Sequence, residues 1–377
     1  MFLIWLLMVH VGSQPPAASP SVDCVPPADA RIRFPFAPDV CFSLSVPIEG
    51  WLDSDRSYLL STVLEGGPGA NVTVHHQPRL CQILIEVDRA ARLPLLGVNI
   101  GASTAVPDAD PSLDAFTGLR MHGIWIDVSW APALLTIIQQ ESLDIRLVTS
   151  SVTPVNVLDL IWPPSLYPER TELGLLKIDI DSYDCDVLEA VLGHQPRPRV
   201  LITEYTALFP PPIAFRLVYT PHFDWKRFHS AFDGPTTMRQ HRRRAWGCSL
   251  AYQAGLLYRA GYVLVAVHFW DATWVLASSR GKLRDLAPNC DTAALQSVYL
   301  EAMFLRHPEF HRQLSAKGDL NGAYYREFTE PLLRMIAERR VADELVGYAR
   351  RHLSTWPSMG GALVQYELYA LGTPPVR

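Results

Sequence analysis

Three carboxylates in this chain stand where a sheet enzyme would place reactive groups. Asp179 and Asp181 close the run Leu175-Leu176-Lys177-Ile178, and Glu204 closes Arg199-Val200-Leu201-Ile202-Thr203. Open α/β sheets bind ligands outside the carboxyl ends of their strands. Carboxylates gathered there repel one another and need a cation, a shared proton or a polar ligand. Such a set suits a hard divalent ion with oxygen ligands, Mg being one choice, or a general base for a substrate hydroxyl. Asp179, Asp181 and Glu204 are therefore the candidate metal ligands, and Asp181 and Glu204 the candidate catalytic groups. Asp181 reads equally well as the N-cap of the next helix, while Asp184 and Asp186 complement that helix's dipole. His222 and Asp224, in the loop Thr220-Pro221-His222-Phe223-Asp224-Trp225, could reach the same rim, and His222 is a further catalytic candidate.

A second group lies upstream. Gly101-Ala102-Ser103 follows the run Leu95 to Ile100, and small residues at a strand end let backbone N–H groups approach a ligand, or simply make a tight turn. Asp127 ends the next run, Gly123-Ile124-Trp125-Ile126. An acid at that place can accept both hydroxyls of a ribose; the competing role is a helix cap near Pro132.

The elements that must position these residues alternate in type. Leu80, Ile83, Leu84 and Val87 follow helical spacing, so an amphipathic helix precedes the first buried strand. Strands are expected at Leu95–Asn99, Gly123–Asp127, Asp144–Thr149, Leu175–Asp181 and Arg199–Glu204, with a helix through Val187, Leu188, Val191 and Leu192. Strands alternating with helices imply a parallel sheet. A helix capped by Ser249 then leads to two strands, Tyr262–Val267 and Thr273–Ala277, joined too closely to be anything but antiparallel. Beyond about Asp291 the pattern is helical, over Leu295–Leu305, Tyr324–Ala337 and Ala342–Leu353. The fold class is thus α/β, a Rossmann-like sheet with parallel strands and a C-terminal antiparallel hairpin, followed by a helical extension. In residues the division is 1–18 signal peptide, 19–90 irregular and helical lead-in with one helix around Tyr58–Leu64, 91–280 the α/β domain, and 281–377 the extension.

Composition sets the outer limits. At 49% hydrophobic and 19% charged residues the 377-residue chain is ordinary globular material. A net charge of −5 gives no global positive field, which argues against nucleic acid as a partner. The basic run Arg239 with Arg242 to Arg244 reads as a solvated loop beside Gly234-Pro235. The apolar run Phe2–Val11 is about half the length of a membrane span. Small residues follow it (Val11-x-Ser13, Ala17-Ala18-Ser19), which points to a secretory signal and leaves no membrane span after its removal. The expected location is the secretory pathway or outside the cell, or the cytoplasm if the segment is not a signal. Six cysteines permit disulfides, but their spacing selects no pairing, and Cys185 and Cys248 serve equally well as buried thiols. Asn71-Val72-Thr73 is a glycosylation sequon in that compartment.

Five segments in order, Ser151-Val152-Thr153-Pro154-Val155-Asn156-Val157, Leu175 to Asp184, Arg199 to Tyr205, Tyr219 to Trp225 and Gly247-Cys248-Ser249-Leu250 to Tyr262, resemble the FkbM-like branch of S-adenosylmethionine-dependent methyltransferases over roughly residues 95–280. The resemblance implies a methyltransferase fold, S-adenosylmethionine as cofactor and methylation of an oxygen. Carried over by position, Asn99, Gly101 and Ala102 would line the methionine end and Asp127 the ribose, with Ser151 also on the cofactor side. Asp179, Asp181 and Glu204 would face the acceptor. The chain departs from the family at Ala105, where a second glycine is usual, and at Ser182-Tyr183, where Gly-Asn is usual. The expected activity is O-methylation of a hydroxyl on a glycan or small-molecule acceptor, with Asp181 or Glu204 acting as base or holding a divalent ion. Two other classes remain: a non-catalytic binding protein on the same fold, and a lumenal glycosyltransferase using Asp179 and Asp181.

Overall fold

The structure, a computed structural model, describes residues 43–47, 71–75, 77–102, 110, 112–128, 132–163, 171–221, 247–268, 270–305, 328–338, 340–353 and 365–371. The signal segment, the helix around Tyr58–Leu64, Ser103, Ala105, His222, Asp224 and the Arg239–Arg244 run lie outside the described residues.

Seven strands make the central sheet: β3 (Leu96–Ile100), β4 (His122–Asp127), β5 (Ile145–Thr149), β6 (Leu175–Ile178), β7 (Val200–Glu204), β9 (Tyr262–His268) and β10 (Asp271–Leu276). Their spatial order is β5-β4-β3-β6-β7-β10-β9. The first five run parallel, and β10 is antiparallel to both β7 and β9. Numbered within this sheet alone, the order is 3-2-1-4-5-7-6 with the seventh strand reversed. That is the α/β arrangement of class I methyltransferases.

Both faces of the sheet are covered, which is why β3 and β6 are buried at every position rather than alternating with water. The amphipathic helix α1 (Leu80–Ala91), α2 (Leu113–Gly118) and α3 (Pro132–Gln140) cover one face. There Leu84, Val87, Phe116 and Leu134 pack with Trp125, Leu175, Ile202 and Val275. On the other face lie α4 (Val157–Ile161), α5 (Asp184–Leu192), α6 (Leu250–Arg259) and α7 (Thr292–Leu300). Their Ile161, Val187, Leu257 and Leu295 pack with Val98, Ile126, Leu176 and Trp274. Ser249 caps α6 by accepting from Tyr252 N at 3.2 Å.

Two further pairings lie outside this sheet. β1 (Ser43–Pro47) and β2 (Asn71–His75) form an antiparallel pair in the lead-in. β8 (Ile213–Val218) pairs with β11 (Gln365–Ala370), so the extension contains a strand as well as α8 (Glu330–Ala337) and α9 (Ala342–Leu353). Phe209, Phe215, Phe328, Leu332, Leu345 and Leu353 form a separate core around that pair. Arg216 on β8 ties the pair to α5, meeting Asp186 at 2.7 Å and Glu189 at 2.8 Å, and joins its own two strands by meeting Glu367 on β11 at 3.0 Å.

Candidate active site at the carboxyl edge of the sheet

Side chains alternate between faces along a strand. Because Trp125, Leu175, Ile202 and Val275 belong to the α1–α3 face, two-residue steps put Asn99, Asp127, Lys177, Asp179, Glu204 and Asp271 on that face too. In register, Asn99 lies beside Lys177 and Trp125, and Glu204 stands directly opposite Asp271. An apolar layer thus ends in a polar band at the carboxyl edge.

Asp179, Asp181 and Glu204 converge there, each offering a carboxylate oxygen, and these atoms lie within 4.8 Å of one another. The turn carrying the first two is fixed by Asp184, whose Oδ1 accepts from Ile180 N at 2.7 Å and Oδ2 from Ser182 N at 3.1 Å. Asp181 has φ +54°, a left-handed conformation that aspartate tolerates better than most residues. It does not cap the next helix: α5 begins at Asp184 with Tyr183 as N-cap. Asp186 does lie in the first turn of α5, where it also pairs with Arg216. On the next strand end, Gln253 Nε2 donates to the Glu204 carbonyl at 2.6 Å.

Lys177 is the fixed positive charge of the band. Its Nζ donates to Asp179 Oδ2 at 2.7 Å and lies 3.9 Å from Asp110 Oδ1, with the lysine only 2% exposed. Burial by itself would discharge the ammonium, but Asp179, Asp110 and Asp271 outweigh it and raise its pKa above the ordinary lysine value. The remaining acids are under the opposite pressure. Burial first, then the charges of Asp179, Asp181, Asp184 and Asp271, push the Glu204 carboxyl well above the usual range. Burial pushes Asp271 up to about 7, Lys177 pulling it down and Asp179 and Asp110 adding to the rise. Asp184 reaches about 7 for the same first reason, its two backbone hydrogen bonds only partly offsetting the loss of water.

The cofactor-side residues are held by the protein itself. Gly101 has φ +87°, and a Cβ there would sit 1.5 Å from the Asp179 carbonyl oxygen. Its glycine is required by the close passage of two turns. Ala102 is buried behind it. Asn99 Nδ2 donates to Asp110 Oδ2 at 2.8 Å and Ser112 Oγ at 2.9 Å, while its buried Oδ1 has no hydrogen-bond partner. Asp127, 7% exposed, ends β4 next to Thr149 of β5. Ser151 is exposed, and its carbonyl accepts from Asn156 Nδ2 at 2.9 Å. Tyr183 OH donates to the Val152 carbonyl at 3.0 Å, tying this loop to the Asp181 turn. Asn99, Gly101, Ala102, Asp127 and Ser151 therefore stand near the carboxyl ends of the adjacent strands β3, β4 and β5.

Sequence reasoning overlooked Lys177, Asp110 and Asp271 as parts of this edge. The expected hairpin, docked beside β7 as a methyltransferase sheet requires, is the signal that would have put Asp271 opposite Glu204.

Beneath the edge, Cys185 and Cys248 are both buried and joined by a disulfide, which decides between the two readings of these cysteines. Cys81 is also disulfide-bonded, and Cys290 is a free thiol. Among the described residues no helix is long and apolar enough to cross a membrane.

The fit to the two implied groups differs. Oxygen donors crowded enough to raise each other's pKa are the donor set a hard divalent cation requires. For S-adenosylmethionine the fit rests on Asp127 at the second strand end and on the unsatisfied Asn99 Oδ1. Neither a protein-family model nor a curated protein matches this chain.

Proposed function

We propose that this chain is an S-adenosylmethionine-dependent O-methyltransferase acting on a hydroxyl of a glycan or small-molecule acceptor. The observation that carries the reading is the 3-2-1-4-5-7-6 sheet with Asp179, Asp181 and Glu204 collected at the carboxyl ends of its fourth and fifth strands. A purely structural sheet has no use for mutually repelling acids there.

When bound, S-adenosylmethionine supplies an electrophilic methyl group on a sulfonium, open to in-line displacement by an oxygen. The chain's own task is to align that oxygen and take its proton. Asp127 would hold the ribose. Glu204, whose proton affinity is raised by burial and by the neighbouring carboxylates, would accept the hydroxyl proton, with Asp181 orienting the acceptor. In the alternative role, Asp179, Asp181 and Glu204 would instead hold a divalent cation such as Mg, which would lower the pKa of an acceptor hydroxyl. The two disulfide-bonded sites support folding in an oxidising compartment, in keeping with secretory entry.

The test is release of S-adenosylhomocysteine on incubation with S-adenosylmethionine, Mg2+ and a panel of hydroxylated sugars and metabolites. Asp181→Asn and Glu204→Gln should each abolish turnover and leave cofactor binding nearly intact. Turnover that survives both changes contradicts the assignment. Nucleotide-sugar binding in place of S-adenosylmethionine binding would favour the glycosyltransferase reading.

A further inference from the structure

The two-stranded ribbon of the lead-in alternates strictly between polar and apolar positions. In register, Ser43 pairs with His75, Ser45 with Thr73 and Pro47 with Asn71, while Leu44 pairs with Val74 and Val46 with Val72. Directly paired residues share a face, and successive residues along a strand change face. One face therefore holds Ser43, Ser45, Pro47, Asn71, Thr73 and His75, and the other only Leu44, Val46, Val72 and Val74. An antiparallel pair divided in this way turns its apolar face to protein and its polar face to water.

The polar face carries the only Asn-x-Ser/Thr sequence in the chain, Asn71-Val72-Thr73. An acceptor asparagine and the hydroxyl residue two positions on share a face of a strand, here the polar one. Two disulfide-bonded sites point to the compartment in which such sequences are modified. Cys81 lies on α1, the helix directly after the ribbon, and Cys185 is joined to Cys248. Disulfides form in the oxidising lumen that secreted chains enter, where asparagine-linked glycans are attached.

We propose that Asn71 is an N-glycosylation site and that its glycan stands on the solvent face of the β1–β2 ribbon. The donor is a lipid-pyrophosphate-linked oligosaccharide of the secretory pathway. The Asn71 amide nitrogen bonds to the anomeric carbon of the first sugar, and the bond from that carbon to the pyrophosphate oxygen breaks. The lipid pyrophosphate leaves with the electron pair, and the amide gives up one proton. The inference goes beyond the proposed chemistry: it rests on secretory entry alone and holds whether or not the sheet binds S-adenosylmethionine. A bulky, hydrated group on this face excludes it as a packing surface and leaves the Leu44, Val46, Val72 and Val74 face for contact with protein.

The experiment expresses the full chain, with its own first residues, in cultured animal cells. The unaltered chain is compared with Asn71→Gln, Thr73→Ala and Thr73→Ser by electrophoresis before and after peptide N-glycosidase, and by mass spectrometry of the peptide that contains residue 71. Faster migration after the enzyme, with Asn71 converted to aspartate, is expected for the unaltered chain and for Thr73→Ser. Neither change is expected in Asn71→Gln or Thr73→Ala. The serine variant keeps the acceptor sequence, so it separates recognition from any effect of the substitution on folding. Should a variant fail to fold, the mass spectrum of the unaltered chain decides the point. A secreted chain with Cys185 and Cys248 joined and Asn71 unmodified overturns the site and leaves secretory entry standing. A chain kept in the cytosol with its cysteines reduced overturns both.

Discussion

The carbonyl oxygen of Asp179 occupies the space a side chain at residue 101 would need, 1.5 Å from an ideal Cβ on Gly101. The two turns are also joined through strand pairing, with Asp179 N donating to the Ile100 carbonyl at 3.0 Å. The turn assigned to the cofactor and the turn carrying the acceptor-side carboxylates are thus one packed unit. Gly101→Ala must move both. A left-handed alanine costs about 1–2 kcal/mol even without a collision, so the variant should lose at least about 2 kcal/mol of stability. Chemical denaturation checks this, and a near-neutral change would mean the turns are less closely coupled.

Lys177 should matter for stability more than its single charge suggests. Lys177→Met leaves Asp179 and the largely buried Asp110 without their ammonium. Breaking one side of a buried pair costs on the order of 3–5 kcal/mol. Adding Asp179→Asn to that variant should recover part of the loss, which a double-mutant cycle by denaturant melts would measure.

Stability should depend on pH with an unusual sign. Asp184 and Asp271 have folded-state pKa values raised to about 7 by burial, against about 3.9 when unfolded. Between these values the folded chain holds more protons than the unfolded one, so their contribution is full below about pH 4 and lost as pH rises through about 7. In chelator the melting temperature should therefore fall from pH 5 to pH 7.5. Asp184→Asn should flatten the slope if its two backbone hydrogen bonds are not the larger loss. A melting temperature that climbs over that interval contradicts the electrostatic description.

The disulfide should steady the carboxylates as well as the fold. Cys185 follows Asp184, and the Cys248 carbonyl accepts from Thr206 N at 2.8 Å, two residues past Glu204. Closing a loop of separation 63 is worth about 4 kcal/mol by chain entropy, and measured disulfides typically give about 2–4 kcal/mol. Cys185→Ala with Cys248→Ala should cost that much and weaken cation binding severalfold. Unchanged cation affinity would make the bridge purely structural.

Much of this architecture was legible in the residues. Continuous apolar runs ending in Asp127, Asp179 and Glu204 marked the parallel strands, and the short Val267–Thr273 connection marked the hairpin, because local pattern and chain reach settle both. The pairing of Gln365 with Val218 left no such mark, because the two strands are far apart in sequence and the region beyond Asp291 reads as helical. The disulfide was equally silent, since spacing cannot choose among six cysteines. At the site, Asp184 read as a helix-dipole acid although it also ties the Asp181 turn. Gly101 read as a ligand approach although its neighbour is Asp179. In both places a short-range pattern has a tertiary partner that only the sheet order brings close.

The most direct test of the central claim is calorimetric binding of S-adenosylmethionine to the chain, with Asp127→Asn as control. The account predicts micromolar affinity that is lost in the control while its far-UV spectrum is kept. Absence of binding by well-folded protein, in the presence and absence of Mg2+, would contradict it and leave a methyltransferase-like sheet serving as a binding protein.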